Sequence, residues 1–591
     1  MYHAPLRDIE FVLHELIGVD AVLSCERFAD YSVDLANTVL EEAARFAETV
    51  LEPLDKTGDR EGAHWSEAGV TTPAGFKEAY QQYVEGGWPR LGASPEHGGQ
   101  VVPQLLATAV QEIWSSANLS FELCPMLTHG AAHALALTGS QAQRELYLPR
   151  MVSGEWTGTM VLTEPQAGSD LGLIRTRALP EGEHYRLHGQ KIFITWGEHD
   201  YTPNIVHMVL ARIEGAPEGT RGISLFIVPK RLVGPDGSLG ERNDVRCVSI
   251  EHKLGIHASP TCVMAFGERD GAIGYLVGEP NRGLEYMFIM MNTARLGVGL
   301  QGLALAERAL QQAADWARTR VQGKPPAAAG AAAAIVHHPD VKRMLLGMKS
   351  SVEAMRALVL YAAHQLDLAG HQGDEAARKA AQARADLLIP IVKAWCTELG
   401  IEVASTGIQV HGGMGYIEDT GAAQRLRDVR ITAIYEGTTG IQANDLIGRK
   451  IGRDAGAAMA ALVADMRGEL ASLKAADVAA RTVRTAALEG VELLSGATRF
   501  LLNLLASEPA RAEAVAVPYL KLCGLVLGGW LMARAAEVAA DKIASAERDY
   551  YSAKLQTARF YAQQILPSTL ALGRIVERGS ESVVEADARL I

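Results

Sequence analysis

Apolar residues along the chain change their spacing twice, and the two changes divide it into helical, β-rich and again helical parts. From Val33 to about Leu148 they recur at helical spacing, with Leu35, Val39, Ala43, Phe46 and Val50 forming one stripe. Between about Trp156 and Gly278 the pattern shortens to β-rich runs, Ile192–Thr195, Ile205–Ala211, Ile223–Val228 and Thr261–Phe266. Turn clusters such as Glu181-Gly182-Glu183 and Pro235-Asp236-Gly237 separate them, which predicts a small β-barrel or sandwich. After Gly283 the helical period returns, with a helix predicted over Ala304 to Thr319. Val341, Met344, Met348, Val352, Met355 and Val359 share a face of another, opened by Pro339 and Asp340. Those methionines read as packing residues rather than soft metal ligands. The insert of Pro325-Pro326 and the alanine-rich residues 327–334 is predicted to be a surface loop. Beyond Lys450 an alanine-rich helical region follows, with stripes such as Leu488, Val491, Leu493 and Leu494.

The predicted fold class is therefore mainly α with a central β domain. Its segments are an N-terminal extension over 1–32, a helical domain over 33–155, a β domain over 156–278, a helical bundle over 279–450 and an additional helical domain over 451–591. At 591 residues the chain exceeds what one core organises. A net charge of -13 argues against a nucleic-acid or anionic-membrane partner. The six cysteines, Cys25, Cys124, Cys247, Cys262, Cys396 and Cys523, form no Cys-x-x-Cys pair, so no disulfide framework and no metal site is predicted. Cysteine usage of this kind suits a reducing compartment. Asp8, Glu10, Glu15 and Asp20 make the N-terminus unlike a secretory signal or transit peptide, and a cytoplasmic location is expected. Leu522 to Ala533, bracketed by Lys521 and Arg534, is shorter than the roughly 20 residues that cross a bilayer. It is predicted to be a buried helix, with no transmembrane segment.

Candidate chemistry centres on Ile434-Tyr435-Glu436-Gly437-Thr438-Thr439-Gly440-Ile441-Gln442, which sets one carboxylate between an aromatic ring and a glycine-threonine turn. If Glu436 is buried against Ile434 and Tyr435, its charged form is penalised and its pKa raised, which suits a base for a weak carbon acid. Alone, the triplet also describes a helix end carrying a solvated glutamate. A second motif, Gln409-Val410-His411-Gly412-Gly413-Met414-Gly415-Tyr416, puts a glycine-rich turn after the apolar-periodic run Leu387 to Val403, where backbone can approach a ligand closely. The histidines His199, His257 and His411 read as packing or surface residues.

Together with Val161-Leu162-Thr163-Glu164-Pro165-Gln166-Ala167-Gly168-Ser169-Asp170 and Gln190-Lys191-Ile192-Phe193-Ile194-Thr195, these motifs give a chain that resembles the acyl-CoA dehydrogenase flavoprotein family. Their order, and the intervals from Gln409 to Glu436 and from Arg295 to Arg320, look like the family's own. The resemblance covers roughly residues 30 to 450. It implies FAD as cofactor and α,β-dehydrogenation of an acyl-CoA thioester to the trans-2-enoyl-CoA, with electrons passed to electron-transferring flavoprotein.

By the same resemblance, Glu436 would abstract the α-proton as the β-hydride leaves toward flavin N5, and Gly437 would lie beside the substrate. The backbone N–H of Glu436 and a flavin ribityl hydroxyl would hold the thioester carbonyl. Met160, Leu162, Thr163 and Ser169 match the strand and turn that touch the isoalloxazine, and Phe193 and Thr195 match the next strand. The family commonly has Trp at Phe193 and Gly at Gln166. Arg320 matches the arginine that reaches the flavin pyrophosphate of a neighbouring subunit. Gln409, Gly412 and Gly413 match that flavin's adenine side, whereas Thr438 and Gln442 serve the chain's own flavin, so a homodimer is implied. Val321-Gln322-Gly323 lacks the phenylalanine usual after the arginine and is one residue shorter. Asn292, Arg295, Ser169 and Tyr435 are implied substrate contacts, although Arg295 alone would read equally as a bundle salt bridge.

The floor of the acyl pocket is expected near Phe121 and Glu122. Glu122 either points to solvent or shortens the channel for a compact or thioether-bearing acyl group such as 3-methylthiopropanoyl. The opening Tyr2-His3-Ala4-Pro5-Leu6-Arg7-Asp8 and the C-terminal extension look like the longer subgroup that includes 3-methylmercaptopropionyl-CoA dehydrogenases. Two other readings share the flavin. One is an acyl-CoA oxidase using dioxygen; the other is a DNA-binding damage-response protein, against which 451–591 shows no dense Lys/Arg run.

Overall fold

Contacts in the computed structural model, which describes residues 2–326 and 331–590, group the chain into two units. One comprises Ala43–Pro103 and Ala117–Gly297; the other takes the residues up to Glu42, Gln104–Ser116 and those from Val298 onward. Residues 327–330 of the predicted alanine-rich loop lie outside the described residues.

The first unit contains all the strands found among the described residues. β1 (His64–Ser66) and β2 (Gly69–Thr71) form a small antiparallel hairpin absent from the helical reading of this region. Each has only three residues and they are largely exposed, too short to show a period of two. The β-rich segment supplies β3 (Thr157–Val161), β4 (Arg177–Glu181), β5 (His184–Thr195), β6 (Ile205–Ile213) and β7 (Ile223–Pro229). A separate ribbon, β8 (Arg231–Val233) with β9 (Leu239–Arg242), precedes β10 (Val245–Ile250), β11 (Thr261–Phe266) and β12 (Ala272–Val277). Pairings run β5 to β12 to β7 to β6 to β4 and back to β5, so these five strands close a ring and the barrel alternative holds.

Two strands share one edge of β6: β3 lies parallel along Ile205–Val209, and β4 takes over at Arg212 and Ile213. β5 is divided in the same way. Its first half closes the ring, and its second half, carrying Phe193 and Thr195, pairs with β11. Leu187, Val209, Ala211, Phe226 and Val228 are fully buried in the core. β7 is buried at every position, which explains why it reads as an unbroken apolar run rather than an alternation. Helix Leu119–Thr138 lies on β3 because Gly158 leaves room: a Cβ there would meet Ala131 at 2.7 Å.

Of the predicted N-terminal stripe, Ala43 and Phe46 are buried, Val39 and Val50 are half-buried and Leu35 is exposed. In helix Val33–Phe46 and the π-helical continuation Ala47–Leu51 the buried residues include Ala36, Leu40, Ala43, Ala47 and Leu51, while Leu35 is 41% exposed. Two adjacent rows of this helix are apolar, and periodicity alone does not tell which packs; the row rich in small alanines does.

The second unit is helical. Three long helices, Gly283–Thr319, Pro339–His371 and Glu375–His411, carry its bundle. The first begins 21 residues before the predicted Ala304 start. Gly299 and Gly302, which blur the sequence pattern, are points of close crossing: Cβ atoms there would meet Val392 at 2.6 Å and the Cys396 carbonyl at 2.4 Å. Met348, Val352, Met355 and Val359 are buried as predicted. Helices Ala457–Ser472, Val478–Ser507, Ala516–Lys542, Arg548–Phe560 and Ser568–Arg578 follow. Ala516–Lys542 is long and apolar enough to cross a membrane, but 83% of its apolar window is buried inside the protein. It packs directly on Glu375–His411, since a Cβ at Gly524 would meet the Trp395 ring at 2.2 Å.

Buried charge ties this unit together. Arg356 donates to Glu112 at 2.7 Å and to Glu307 at 2.7 Å, with all three side chains buried. Nearby, Lys554 bridges Asp8 of the N-terminal extension at 2.7 Å and Glu353 of the bundle at 3.3 Å, and Arg7 pairs with Glu15 at 2.8 Å and Glu547 at 2.9 Å. Truncating Arg356 to Met would strand two buried carboxylates. The expected loss is about 3–5 kcal/mol of stability, read from the denaturation midpoint, with partial recovery when Glu112→Gln and Glu307→Gln are added.

Candidate active site

After the glycine-rich turn Gly412–Tyr416, helix Ala422–Val429 and a 3-10 turn Arg430–Ala433 lead into Glu436, and helix Thr439–Asn444 follows directly. Glu436 is thus in a connection between two elements rather than at the end of a solvated helix. Its φ is +55° and that of Gly437 is +91°. Seven non-glycine residues among those described have positive φ, and two of them are the sequence candidates Glu436 and Phe193. Such conformations cost about 1–3 kcal/mol each and persist only where surrounding structure fixes them.

Here the fixing groups are visible. Gln442 Nε2 donates to the Glu436 carbonyl at 3.0 Å, and Lys393 Nζ, on helix Glu375–His411, donates to the Gly437 carbonyl at 2.6 Å. Thr438 Oγ1 caps the following helix by accepting from Ile441 N–H at 3.3 Å, and Thr439 Oγ1 donates to Glu398 at 2.5 Å. The Tyr435 hydroxyl donates to Gln301 Oε1. A Cβ on Gly437 would meet Gln442 Nε2 at 2.7 Å. Burial of the candidate base is less complete than its neighbours suggested: Glu436 is half-buried, and Ile434 is 46% exposed.

Two stacked rings link the helix that ends just before Arg320 to the helix that carries Gln409 and ends before Gly412 and Gly413. The Arg320 guanidinium lies over Trp316 at 5.9 Å, and Trp316 stacks on His411 with centroids 5.2 Å apart and planes 28° off parallel. His411 is buried, which lowers its pKa, and its Nδ1 is 2.7 Å from the Gly407 carbonyl, so it packs as expected. Gly412 and Gly413 have open space where a Cβ would stand. Trp316 had no role in the sequence reading, although it lies one helical turn before Arg320 and would have been found by i, i+4 spacing.

In the strand-bearing unit, Phe193 has φ +60° and is 58% exposed, and Thr195 is half-buried on the same strand. Met160 lies on β3, with Leu162 and Thr163 just beyond it, all partly buried, and Ser169 is exposed. A buried ion pair clamps this turn to β5: Lys191 Nζ lies 2.9 Å from Glu164 and donates to the Leu162 carbonyl at 2.8 Å. Glu164 also accepts from Arg175 N–H at 2.7 Å and from the Thr176 hydroxyl at 2.6 Å. Burial would raise the Glu164 carboxyl, but Lys191 and these hydrogen bonds outweigh it and hold the pKa at about 2. Burial presses the Lys191 ammonium down to about 8 against the pull of Glu164. Both residues stood inside the quoted motifs without a role; oppositely charged residues in apolar strand runs were the available signal.

Arg295 is buried near the Phe288 ring, at 6.0 Å, and Asn292 is exposed. Of the two alternatives for Glu122, exposure to solvent is excluded, because its side chain is buried in helix Leu119–Thr138. Phe121 belongs to an aromatic core cluster with Phe46, Phe76, Tyr83 and Tyr201.

Several of these features fit a flavin dinucleotide. Within the bundle unit, Gln442 Oε1 is buried and finds no hydrogen-bond partner among the described residues, and the Gly412-Gly413 backbone is open to a close approach; within the strand-bearing unit, Phe193 presents an exposed ring on the strand that also carries Thr195. Residues 36–155, 159–268 and 281–451 match the N-terminal, middle and C-terminal domains of acyl-CoA dehydrogenases, and 457–587 match an acetyl-CoA dehydrogenase C-terminal-like domain. The chain therefore belongs to the acyl-CoA dehydrogenase family of FAD-dependent oxidoreductases. It is 48% identical over 571 residues to 3-methylmercaptopropionyl-CoA dehydrogenase of Ruegeria pomeroyi, covering 96% of each chain. Its fold is that of acyl-CoA dehydrogenase complexed with FAD from Bacillus anthracis, with a TM-score of 0.75 at 20% identity across 98% of this chain and 93% of that one. A chain solved in work on the electron transferring flavoprotein of Acidaminococcus fermentans is also similar, with a TM-score of 0.56 at 26% identity over 70% of this chain and 97% of that one.

Replacing Glu164 by Gln would leave a fully buried ammonium without its counter-charge, and a stability loss of about 3 kcal/mol is expected by thermal melting. Because the Glu164 pKa lies below its ordinary 4.5, its contribution is present above that value and is lost as pH falls toward about 2. The variant should therefore show a flatter acid-side decline. Gly437→Ala adds a side chain to a left-handed residue against Gln442, and turnover is expected to fall at least about tenfold, measured under saturating acyl-CoA.

Proposed function

We propose that this enzyme dehydrogenates 3-(methylthio)propanoyl-CoA, with Glu436 as the base and electron-transferring flavoprotein as the acceptor. The full-length 48% identity to the Ruegeria pomeroyi enzyme carries the substrate assignment. The burial of Glu122 beside Phe121 supports a short channel, since a carboxylate is a poor lining for a long aliphatic chain. Likeness to the chain from the Acidaminococcus fermentans flavoprotein work supports the acceptor.

Removing hydrogens from adjacent carbons of a thioester requires a base for the α-proton, an acceptor for the β-hydride and donors to the developing enolate oxygen. FAD, when bound, supplies the hydride acceptor, a chemistry no amino-acid side chain provides. The Glu436 carboxylate takes the α-proton. Its own backbone N–H donates to the thioester oxygen as negative charge builds there, an interaction of a kind worth about 3 kcal/mol in the transition state. Gly437 leaves the approach clear. Tyr435, Ser169, Asn292 and Arg295 contact the acyl-CoA.

For the cofactor, the hydroxyls of Thr163 and Thr195 can donate to a ring edge, with Met160, Leu162, Ser169 and Phe193 around it. Thr438 and the unpartnered Gln442 Oε1 hold the flavin of their own chain. Arg320, whose planar guanidinium matches phosphate oxygens, serves a neighbouring subunit's flavin with Gln409, Gly412 and Gly413, so the working enzyme is a homodimer. A cytoplasmic location completes the proposal.

Glu436→Gln should fold and bind FAD, staying yellow, with turnover lowered by several orders of magnitude because the amide cannot accept the α-proton; near-normal turnover overturns the base. Anaerobic titration with butanoyl-, 3-methylthiopropanoyl-, octanoyl- and palmitoyl-CoA, followed by flavin bleaching, should show the thioether substrate reacting at the lowest concentration. Peroxide release in air without an added acceptor would point instead to an oxidase.

A further inference from the structure

We infer that Lys393 is a positioning residue for the catalytic turn, holding Glu436 and its backbone N–H in the reactive geometry. The inference rests on the reading of Glu436 as the base. Lys393 lies in the middle of helix Glu375–His411 and its side chain is fully buried. A buried ammonium is costly unless hydrogen bonds and charge compensate it, so its presence in a bundle interior asks for a reason beyond packing. Its Nζ donates to the Gly437 carbonyl at 2.6 Å, across 44 residues of sequence.

Two consecutive carbonyls of the turn are thus held by side-chain donors, Glu436 by Gln442 at 3.0 Å and Gly437 by Lys393 at 2.6 Å, with Gln442 Nε2 reaching the Gly437 carbonyl only at 3.5 Å. The donors are not equivalent. Gln442 belongs to helix Thr439–Asn444, which starts two residues after Gly437, so it stays local to the turn and moves with it. Lys393 belongs to a 37-residue helix of the bundle and ties the turn to that scaffold. Its bond is also charge-assisted, which makes it shorter and about twice as strong as a neutral one.

Glutamate disfavours the left-handed region in which Glu436 sits at φ +55°. Without Lys393 the Gly437 carbonyl would keep only the long contact to Gln442, which moves with the turn, and relaxation there would misplace two groups at once: the carboxylate that takes the proton and the N–H that faces the thioester oxygen. Misplacement of reacting groups by about 1 Å costs on the order of 100-fold in rate. A lysine that merely filled space would move stability and leave the chemical step alone.

The test uses full-length, FAD-loaded enzyme and compares Lys393→Met, Lys393→Gln and Glu436→Gln. Lys393→Met should lower kcat by about 30- to 300-fold with KM changed less than about threefold, while Lys393→Gln, which keeps a donor on a shorter arm, should lose less. Long-wavelength absorption with a non-reactive 3-thia-acyl-CoA supplies a readout independent of turnover, and it should weaken in Lys393→Met. A kcat within about threefold of wild type in folded Lys393→Met, or a Lys393→Gln enzyme of full activity where the Met variant does not fold, overturns the inference. If Glu436→Gln is itself active, the base assignment fails with it; if Glu436→Gln is inactive and both lysine variants are normal, only the positioning role falls.

Discussion

A protein interior tolerates charge only where opposite charge or hydrogen bonds compensate it, and that constraint organises both units of this enzyme. In the bundle unit, Arg356 stands between Glu112 and Glu307, so three helices that meet at one buried point cannot slide without separating opposite charges. Lys554 does the same for the chain's two ends, holding Asp8 and Glu353 on one ammonium. In the strand-bearing unit the Glu164–Lys191 pair ties the turn after β3 to β5, the strand bearing Phe193. Replacing such groups by well-packed apolar residues is often neutral for stability, so their value here is register: each pair admits one alignment of the elements it joins.

The changes of period located the helical and β-rich regions because they depend on which faces are buried, a local property. What local pattern did not reveal was how nonadjacent strands meet. Closure of the ring through β4 depends on one strand pairing with two others, and β6 gives different halves of an edge to β3 and β4. The long first helix of the bundle was read too short for a related reason. Gly299 and Gly302 resemble helix breakers in sequence, yet in the fold they are contact points for a crossing helix.

The candidate site was legible where family motifs carry it and silent where tertiary structure does. Glu436, Gly437 and Gln442 stand within a single run of sequence, and the fold gathers them into one hydrogen-bonded turn. Lys393 gave no sign of itself, since nothing local distinguishes a buried lysine from a solvated one in a helix this long. Trp316 is intermediate: its spacing to Arg320 is readable in sequence, but its stacking on His411 is a property of the fold alone.

The close seating of Gly524 against Trp395 bears on how the region after Lys450 could be gained or lost. Trp395 lies on the same bundle helix as Lys393, two positions further on, and it is covered by the C-terminal helix rather than by water. Deleting that helix in one step would bare a large indole on the scaffold that anchors the catalytic turn. The helices after Lys450 therefore complete the bundle's own core, and the extension and the scaffold of the catalytic turn belong to one compact unit.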